Sequence, residues 1–201
     1  MTIDEIMRAA PVIPVLVLEQ EMDWAALAET FVGAGLPVLE VTLRTPHALG
    51  AIREMAKVPG AIVGAGTVLN RGQFDEAMNA GSRFIVSPGL TEGLAKAASG
   101  TPYLPGVASA GDIMRGLDLG LDRFKFFPAE TSGGIKALKA LAAPFYQCCF
   151  CPTGGITVDT ASDWLAVDAV LCVGGSWLVP AGDPDPAAIE ARARAASQLA
   201  K

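Results

Sequence analysis

The sequence has few of the residues that usually hold metals. Its 201 residues include one histidine and four cysteines, and these cysteines lack the CxxC pairs of a structural zinc site. On a strand, Cys149 and Cys151 would share one face and Cys148 would take the other, while Cys172 lies further along the chain. We expect all four to be small buried side chains in a reducing compartment. His47 follows a proline at a predicted helix start, so we expect a surface residue rather than a catalyst.

Long apolar runs and an excess of positive charge are also absent. No run is long enough to span a bilayer, and residues 1–11, MTIDEIMRAAP, carry acids instead of a basic segment before an apolar one. We therefore predict no membrane span, no signal peptide and a cytoplasmic location. The formal net charge of −6 argues against nucleic acid as a partner. A local positive pocket could still bind a small anionic substrate.

Apolar residues make up 51% of the chain, and strand and helix patterns alternate along it. The predicted strands are 11–18, 36–43, 61–66, 83–87, 103–105, 123–127, 147–152 and 169–173. The predicted helices that follow them are 23–33, 46–56, 73–80, 91–98, 110–117, 134–142, 160–165 and 186–199. Near-continuous apolar strands, each followed by a helix, indicate a parallel sheet covered by helices. Eight such units predict one domain over residues 1–201: a (β/α)₈ TIM barrel with a short N-terminal helix at 2–10. The alternative is an open doubly wound sheet with fewer strands.

A lysine stands inside the sixth predicted strand. Alternation places Phe124 and Phe126 on one face, and Arg123, Lys125 and Phe127 on the other. A desolvated lysine loses part of its preference for the charged form, and a neutral amine attacks carbonyl carbon. Lys125 is therefore a candidate Schiff-base nucleophile. The alternative is a lysine that reaches water at the strand end or pairs with a carboxylate.

Polar residues also occupy the inward face of the second predicted strand, where Glu40, Thr42 and Arg44 alternate with apolar residues. The inward face of a parallel barrel is normally aliphatic, so these groups need a partner. A structural ion pair is the alternative to a catalytic role. Thr67 follows the third predicted strand, whose glycines Gly64 and Gly66 could let a ligand approach the backbone or could form a tight turn.

Two glycine-rich segments follow the last two predicted strands, at 153–155 (TGG) and 174–176 (GGS). Barrels of this type often hold a phosphate at these places through backbone N–H groups. We therefore predict a phosphate site there. No acidic or histidine cluster of the metal-ligand type accompanies these segments in the sequence.

Taken together, six segments resemble those of 2-keto-3-deoxy-6-phosphogluconate (KDPG) aldolase. They are 39–45 LEVTLRT, 63–70 VGAGTVLN, 87–91 SPGLT, 124–130 FKFFPAE, 151–156 CPTGGI and 174–180 GGSWLVP. The resemblance implies a class I aldolase on a (β/α)₈ barrel, without metal or cofactor and assembled as a homotrimer. It also implies cleavage of KDPG to pyruvate and D-glyceraldehyde 3-phosphate, and activity on 4-hydroxy-2-oxoglutarate.

The resemblance also assigns roles to individual residues. Lys125 matches the Schiff-base lysine and Glu40 the general acid/base. The substrate-binding positions it implies are Arg44 and Thr67 at the pyruvate carboxylate, Pro88 and Phe127 in the pocket wall, and Thr153. The phosphate-binding positions it implies are Gly154, Gly155, Gly175 and Ser176. The sequence departs from the family pattern at 46–47 (PH) and 107–109 (VAS). Alternatives are an aldolase for the galactonate analogue, or a phosphosugar isomerase or binding barrel without Schiff-base chemistry.

Overall fold

The computed structural model describes residues 1–180 and 185–200. Its strands are β1 Val12–Leu16, β2 Val38–Thr42, β3 Ile62–Gly66, β4 Phe84–Ser87, β5 Tyr103–Val107, β6 Arg123–Phe126, β7 Cys149–Pro152 and β8 Val173–Gly175. Its helices are α1 Ile3–Arg8, α2 Trp24–Gly33, α3 Ala48–Met55, α4 Arg71–Asn79, α5 Glu92–Ala97, α6 Ala110–Asp118, α7 Gly134–Ala142, α8 Ala161–Leu165 and α9 Pro186–Ser197.

All neighbouring strands are parallel and follow the chain order, and β1 pairs with both β2 and β8. The ring closes between β7 and β8 through two isolated bridges, Phe150 with Val170 and Thr153 with Gly174. The predicted (β/α)₈ barrel, with its short N-terminal helix, is therefore confirmed. In the described ranges, no helix is both long enough and apolar enough to cross a membrane.

The half of the barrel interior that is further from the C-terminal ends of the strands is apolar, and α1 closes it. Ile6 and Met7 of α1 belong to an interior cluster of buried residues. Its other members come from the strands and from the two residues before β8: Ile13, Val38, Ile62, Phe84, Val86, Leu104, Cys151, Leu171 and Cys172. The helix forms because Thr2 and Glu5 make a full capping box at its start. Asp4 of α1 accepts a 2.6 Å hydrogen bond from Arg123 Nε of β6. The helix is therefore fastened to the strand that carries Lys125.

The opposite faces of the strands pack under the helices. Leu39 and Val41 of β2, and Phe124 and Phe126 of β6, belong to the larger cluster between sheet and helices. Alternation then leaves Glu40 and Lys125 on the inward faces of their strands. Both predicted face assignments are thus confirmed.

The eighth strand was predicted in the wrong place. Residues 169–173 are apolar, but Val170 and Leu171 pair only locally with Phe150 of β7. The chain then crosses to β1, and the strand runs from Val173 to Gly175. Gly174 and Gly175 therefore lie in β8, not in a turn that follows it.

The cysteines behave largely as predicted. All four are free, and Cys148, Cys151 and Cys172 are buried, whereas Cys149 is half-buried. Cys149 and Cys151 face the interior cluster, and Cys148 faces the helices. Burial raises the pKa of Cys148 to about 11, so this thiol stays protonated at neutral pH.

Candidate active site

Lys125 and Glu40 meet inside the barrel. Lys125 Nζ lies 2.9 Å from Glu40 Oε1 and 3.3 Å from Oε2, and the two residues are only 6% and 3% exposed. Burying both charges is costly, and their contact offsets part of that cost. A carboxylate at this distance can accept the proton that the amine must lose before it attacks a carbonyl. The structure thus brings together the two residues that the sequence placed on inward faces 85 positions apart.

The glycines of β3 make room for side chains. An added Cβ at Gly64 would meet the ring of Phe84, and one at Gly66 would meet the carboxylate of Glu40. Both glycines lie in β3, so the tight-turn alternative is wrong, and access of a ligand to their backbone stays a prediction. The absence of a side chain at Gly64 leaves room for the Phe84 ring in the apolar interior. The absence of one at Gly66 leaves room for the Glu40 carboxylate that contacts Lys125. Thr42 is also inward, and its hydroxyl donates to the Leu16 carbonyl at 3.0 Å.

Arg44 and Thr67 meet just beyond the ends of β2 and β3. Arg44 Nε donates to Thr67 Oγ1 at 3.2 Å, and the Arg44 side chain is exposed at the barrel mouth. Thr67 has a φ of 58°, which is rare for a β-branched residue and stores backbone strain. Such strain is frequent at binding sites, and here it holds a hydroxyl beside a guanidinium. A carboxylate at this place could bind both groups.

Phe127 lies near both the lysine and the glycine turn after β7. Lys125 Nζ lies 5.4 Å from the Phe127 ring centroid. Two atoms of the same ring would lie 3.4 Å from a Cβ at Gly154. Thr153 is buried beside this turn, and its side chain fills the space over Gly174.

The turn after β7 has a backbone N–H group that is available to a ligand. Gly154 and Gly155 have φ values of 101° and 83°. The parallel bridge between Thr153 and Gly174 directs the Gly154 N–H group to the Gly174 carbonyl, whereas the Gly155 N–H group donates to no acceptor within residues 1–180 and 185–200. Glu130 supports this turn from behind, because its N–H donates to the Gly154 carbonyl at 3.1 Å. The Glu130 carboxylate accepts from Trp164 Nε1 at 3.0 Å and is thereby held.

Gly175 and Ser176 complete the predicted set on the neighbouring strand. Gly175 ends β8, where a side chain would meet the ring of Trp177. Ser176 is exposed just beyond it, and its hydroxyl has no hydrogen-bond partner in the part of the chain that the structure describes. The bridge between Thr153 and Gly174 holds the ends of β7 and β8 side by side.

Pro88 borders the interior through its backbone. A Cβ at Gly106 would meet the Pro88 carbonyl, and the Gly89 nitrogen would lie 2.8 Å from it. Gly106 pairs in register with Lys125. The Pro88–Gly89 peptide unit therefore takes the place of a side chain on the barrel wall beside the lysine.

The two departures from the family pattern lie near the mouth. His47 precedes α3 and makes no side-chain cap; it is half-buried rather than exposed, and its ring centroid lies 6.3 Å from that of Trp24. Ser109 caps α6 and forms a capping box with Asp112. Burial opposes ionisation of Asp112, but hydrogen bonds from Ser109 and from the Ala108 and Ser109 N–H groups outweigh it and lower its pKa. Ser109 therefore has a local structural role as the N-cap of α6.

Three supporting residues had been missed: Gly106, Glu130 and Trp164. Gly106 had no signal, because its role depends on a loop that is distant in sequence. Glu130 lay within the resembling segment 124–130, so its place was visible but its support of the glycine turn was not.

A cavity of about 680 Å³ at the opposite end of the barrel, lined by Met1, Lys96 and Tyr103 among others, contains none of the candidate site residues. No group of three or more histidine, cysteine or acidic residues among the described residues could hold a metal.

Comparison with known proteins identifies the family. A family model described as KDPG and KHG aldolase matches residues 3–192. The 2-dehydro-3-deoxy-phosphogluconate aldolase of Zymomonas mobilis is 60% identical over 197 residues, which cover 97% of this chain and 95% of the relative. The crystal structure of the Zymomonas mobilis ZM4 enzyme with 3-phosphoglycerate has a TM-score of 0.96, at 59% identity over 99% of this chain and 96% of that one. A Legionella pneumophila KDPG aldolase, captured with pyruvate as a covalent carbinolamine, has a TM-score of 0.94 at 42% identity, over 98% of both chains.

The fold is a (β/α)₈ barrel with a buried Lys125–Glu40 pair inside it, and the relatives that share this fold are aldolases, which are carbon–carbon lyases. With the relatives in view, the chain belongs to the KDPG and KHG aldolase family.

Proposed function

We propose that this chain is a class I aldolase that cleaves KDPG to pyruvate and D-glyceraldehyde 3-phosphate. The observation that carries the proposal is the buried contact between Lys125 Nζ and Glu40 at 2.9 Å. A buried lysine beside a carboxylate suits imine chemistry, because the carboxylate can take the ammonium proton, whereas apolar residues can often replace a purely structural buried pair. The same chemistry applies to 4-hydroxy-2-oxoglutarate, which would yield pyruvate and glyoxylate.

In this proposal, Glu40 takes a proton from the Lys125 ammonium, and the free amine adds to the C2 carbonyl of the substrate. Glu40 returns this proton to the oxygen, which gives the carbinolamine, and then moves a second proton from the carbinolamine nitrogen to the same oxygen. The oxygen leaves as water, and a protonated imine remains. The imine accepts the electron pair of the C3–C4 bond as Glu40 removes the C4 hydroxyl proton. The aldehyde departs, and the enamine carbon is protonated by the same acid before water hydrolyses the imine and releases pyruvate.

The remaining site residues bind and orient the substrate in this proposal. Arg44 and Thr67 hold the carboxylate next to C2, which suits a guanidinium with a hydroxyl beside it. The Phe127 ring and Pro88 form the walls, and Thr153 lies below the glycine turn. The phosphate lies against Gly154, Gly155 and Gly175, and the Gly155 N–H group and the Ser176 hydroxyl donate hydrogen bonds to it. This remote contact fixes C2 against the amine.

The assembly and the location of the chain extend the same proposal. The family resemblance supports a homotrimer of one-domain chains, which sedimentation equilibrium of the purified protein would test. A cytoplasmic location is supported by the small phosphorylated substrate and by the free, mostly buried cysteines.

The proposal is tested by trapping the imine. The purified chain, incubated with pyruvate and borohydride in the presence of a chelator, should gain one reduced pyruvate adduct on Lys125, mapped by mass spectrometry. Lys136 and Lys139 of α7 are the matched controls in the same sample and should stay unmodified. Modification of those lysines alone would overturn the proposal, and a chain that binds phosphosugars without any trapping would indicate a binding barrel or an isomerase. Comparing KDPG with its galactonate analogue then decides the C4 preference.

A further inference from the structure

Ser87, at the end of β4, links two groups through its hydroxyl. Its Oγ donates to the Gly89 carbonyl at 2.6 Å and lies 2.7 Å from the Tyr103 hydroxyl. A serine hydroxyl has one hydrogen. Because that hydrogen goes to Gly89, Tyr103 must be the donor to Ser87. We call this chain of hydrogen bonds, from Tyr103 through Ser87 to the Gly89 carbonyl, the Tyr103 relay.

The Tyr103 relay lies behind the barrel wall, on the side that faces the helices. Tyr103 belongs to the cluster under the helices and pairs in register with Ile85, which belongs to the same cluster. Ser87 follows two residues later on the same face of β4. Tyr103 and Ser87 are 3% and 1% exposed. Burial raises the pKa of Tyr103, although its contact with Ser87 opposes the shift, so the phenol keeps the proton that it donates.

The loop that the relay fixes also reaches the inner side of the wall. The Pro88–Gly89 peptide unit occupies the place of a side chain at Gly106. Gly106 lies on the inward face, two residues after Leu104 of the interior cluster, and pairs in register with Lys125. The same short loop is therefore anchored from outside by Ser87 and forms the wall beside Lys125 inside.

We propose that Tyr103 is a positioning residue for the aldolase reaction, because its hydroxyl, acting through Ser87, holds the Pro88–Gly89 peptide unit at its place beside Lys125. The inference rests on the proposed function. In the proposed function Pro88 forms part of the pocket wall beside the Lys125 amine, so a shift of the loop would change the alignment of the substrate carbonyl for attack. The groups assigned to the carboxylate and the phosphate lie on other strands. Binding should therefore suffer less than turnover.

The test removes one oxygen atom. Tyr103→Phe should lower kcat with KDPG about 5- to 20-fold, with KM within about twofold, since small misplacements at a reacting centre are costly. Borohydride trapping of pyruvate at Lys125 should slow by a similar factor. Tyr146→Phe is the matched control, because Tyr146 is 89% exposed, and it should match the wild type. All rates are taken well below the unfolding midpoint of each variant and per folded molecule.

Ser87→Ala gives a second route to the same loop. It should lower kcat at least as much as Tyr103→Phe, and adding Tyr103→Phe to it should change kcat by less than about twofold, because the relay is already broken. Unchanged kcat in Tyr103→Phe with only a lower unfolding temperature would assign the tyrosine to the fold and overturn the inference. Losses that multiply in the double variant would do the same. A wild-type chain that neither cleaves KDPG nor traps pyruvate would instead overturn the proposed function. This outcome is distinguishable, because the role of Tyr103 is measured only as a difference between the variants and an active wild type.

Discussion

The Glu40 carboxylate group lies where a side chain at Gly66 would stand. A Cβ added to Gly66 would be 2.7 Å from Glu40 Cγ and 2.8 Å from Cδ, which is closer than real contacts allow. Gly66 pairs with Thr42, two residues beyond Glu40 on β2. The missing side chain on β3 is therefore what lets the carboxylate extend across the barrel towards Lys125.

Gly66→Ala should move the Glu40 carboxylate and separate it from Lys125. We expect a folded protein whose kcat with KDPG falls about 10²-fold or more, the usual effect of misplacing a reacting group by an ångström. Circular dichroism checks that the variant is folded, and steady-state kinetics measures its kcat. Gly93→Ala is the control, because an added Cβ there meets nothing within 4 Å, and its kcat should be unchanged. Near-normal turnover in Gly66→Ala would mean that the position of Glu40 does not limit the reaction.

Glu40→Gln separates proton transfer from charge balance. The amide nearly keeps the shape of the acid, so the variant should fold. Turnover should then fall about 10²–10⁴-fold, which is typical for a positioned acid/base. Exchange of the pyruvate methyl protons with deuterated water should fall with turnover, because protonation of the enamine needs the same group. Trapping at Lys125 should persist but slow down, because dehydration of the carbinolamine also uses Glu40.

The same replacement at Glu54, an exposed residue that pairs with Lys57 at 2.8 Å, controls for the loss of one negative charge. It should leave exchange and cleavage intact. Normal methyl exchange in a folded Glu40→Gln variant would assign the proton transfer to another group.

Strand alternation was enough to place Glu40 and Lys125 on inward faces, because a period of two fixes the face once a strand is recognised. It could not show that they touch. That contact depends on the register of the five strands from β2 to β6 and on the missing side chain at Gly66. The sequence therefore predicts that Glu40 and Lys125 each face inward, and only the three-dimensional structure shows that they are in contact.

The error in β8 has a different cause. Residues 169–173 are apolar enough to predict a strand, whereas Gly174 and Gly175 predict a turn. In the fold, this part of the chain changes its partner from β7 to β1, and the close packing of Thr153 and Trp177 requires glycine in the strand itself. Composition alone does not distinguish a glycine in a turn from one that makes room for a neighbouring ring.

The phosphate assignment needs a probe that leaves the turn backbone alone. A larger residue at Gly155 would be ambiguous, because φ is 83° there and a Cβ would lie 2.6 Å from Glu130 Cγ. Ser176 is exposed, so Ser176→Ala should leave stability unchanged. Its kcat/KM with KDPG should fall about tenfold, the worth of one hydrogen bond to a charged group, and with 4-hydroxy-2-oxoglutarate it should fall less than twofold.

Ser162→Ala, at an exposed position in α8, is the matched control for the loss of a hydroxyl and should affect neither substrate. Equal losses on both substrates in Ser176→Ala would place the serine near the reacting atoms instead of the phosphate.

Acid should weaken the attachment of α1 to the barrel. Hydrogen bonds from Arg8 and Arg123 lower the pKa of Asp4 below its ordinary value of 3.8, although partial burial opposes them. A carboxyl whose pKa is lower in the folded state stabilises the fold above its unfolded pKa, and this stabilisation is lost as pH falls through the folded pKa. Asp4→Asn should therefore reduce the free energy of unfolding by about 1 kcal/mol at pH 7, and the difference from wild type should shrink as pH falls below about 4.

Urea unfolding of both proteins across this pH range measures the difference directly. Asp75→Asn is the control, because Asp75 makes an exposed pair with Arg71 within one helix and should change stability by no more than about 0.5 kcal/mol. The Asp4–Arg123 bond lies at the start of β6, two residues before Lys125, and faces away from the barrel mouth. Turnover at pH 7 should therefore be unchanged in Asp4→Asn. A stability difference that stays constant down to the lowest pH would show that the contact acts through packing of α1 and not through the charge of Asp4.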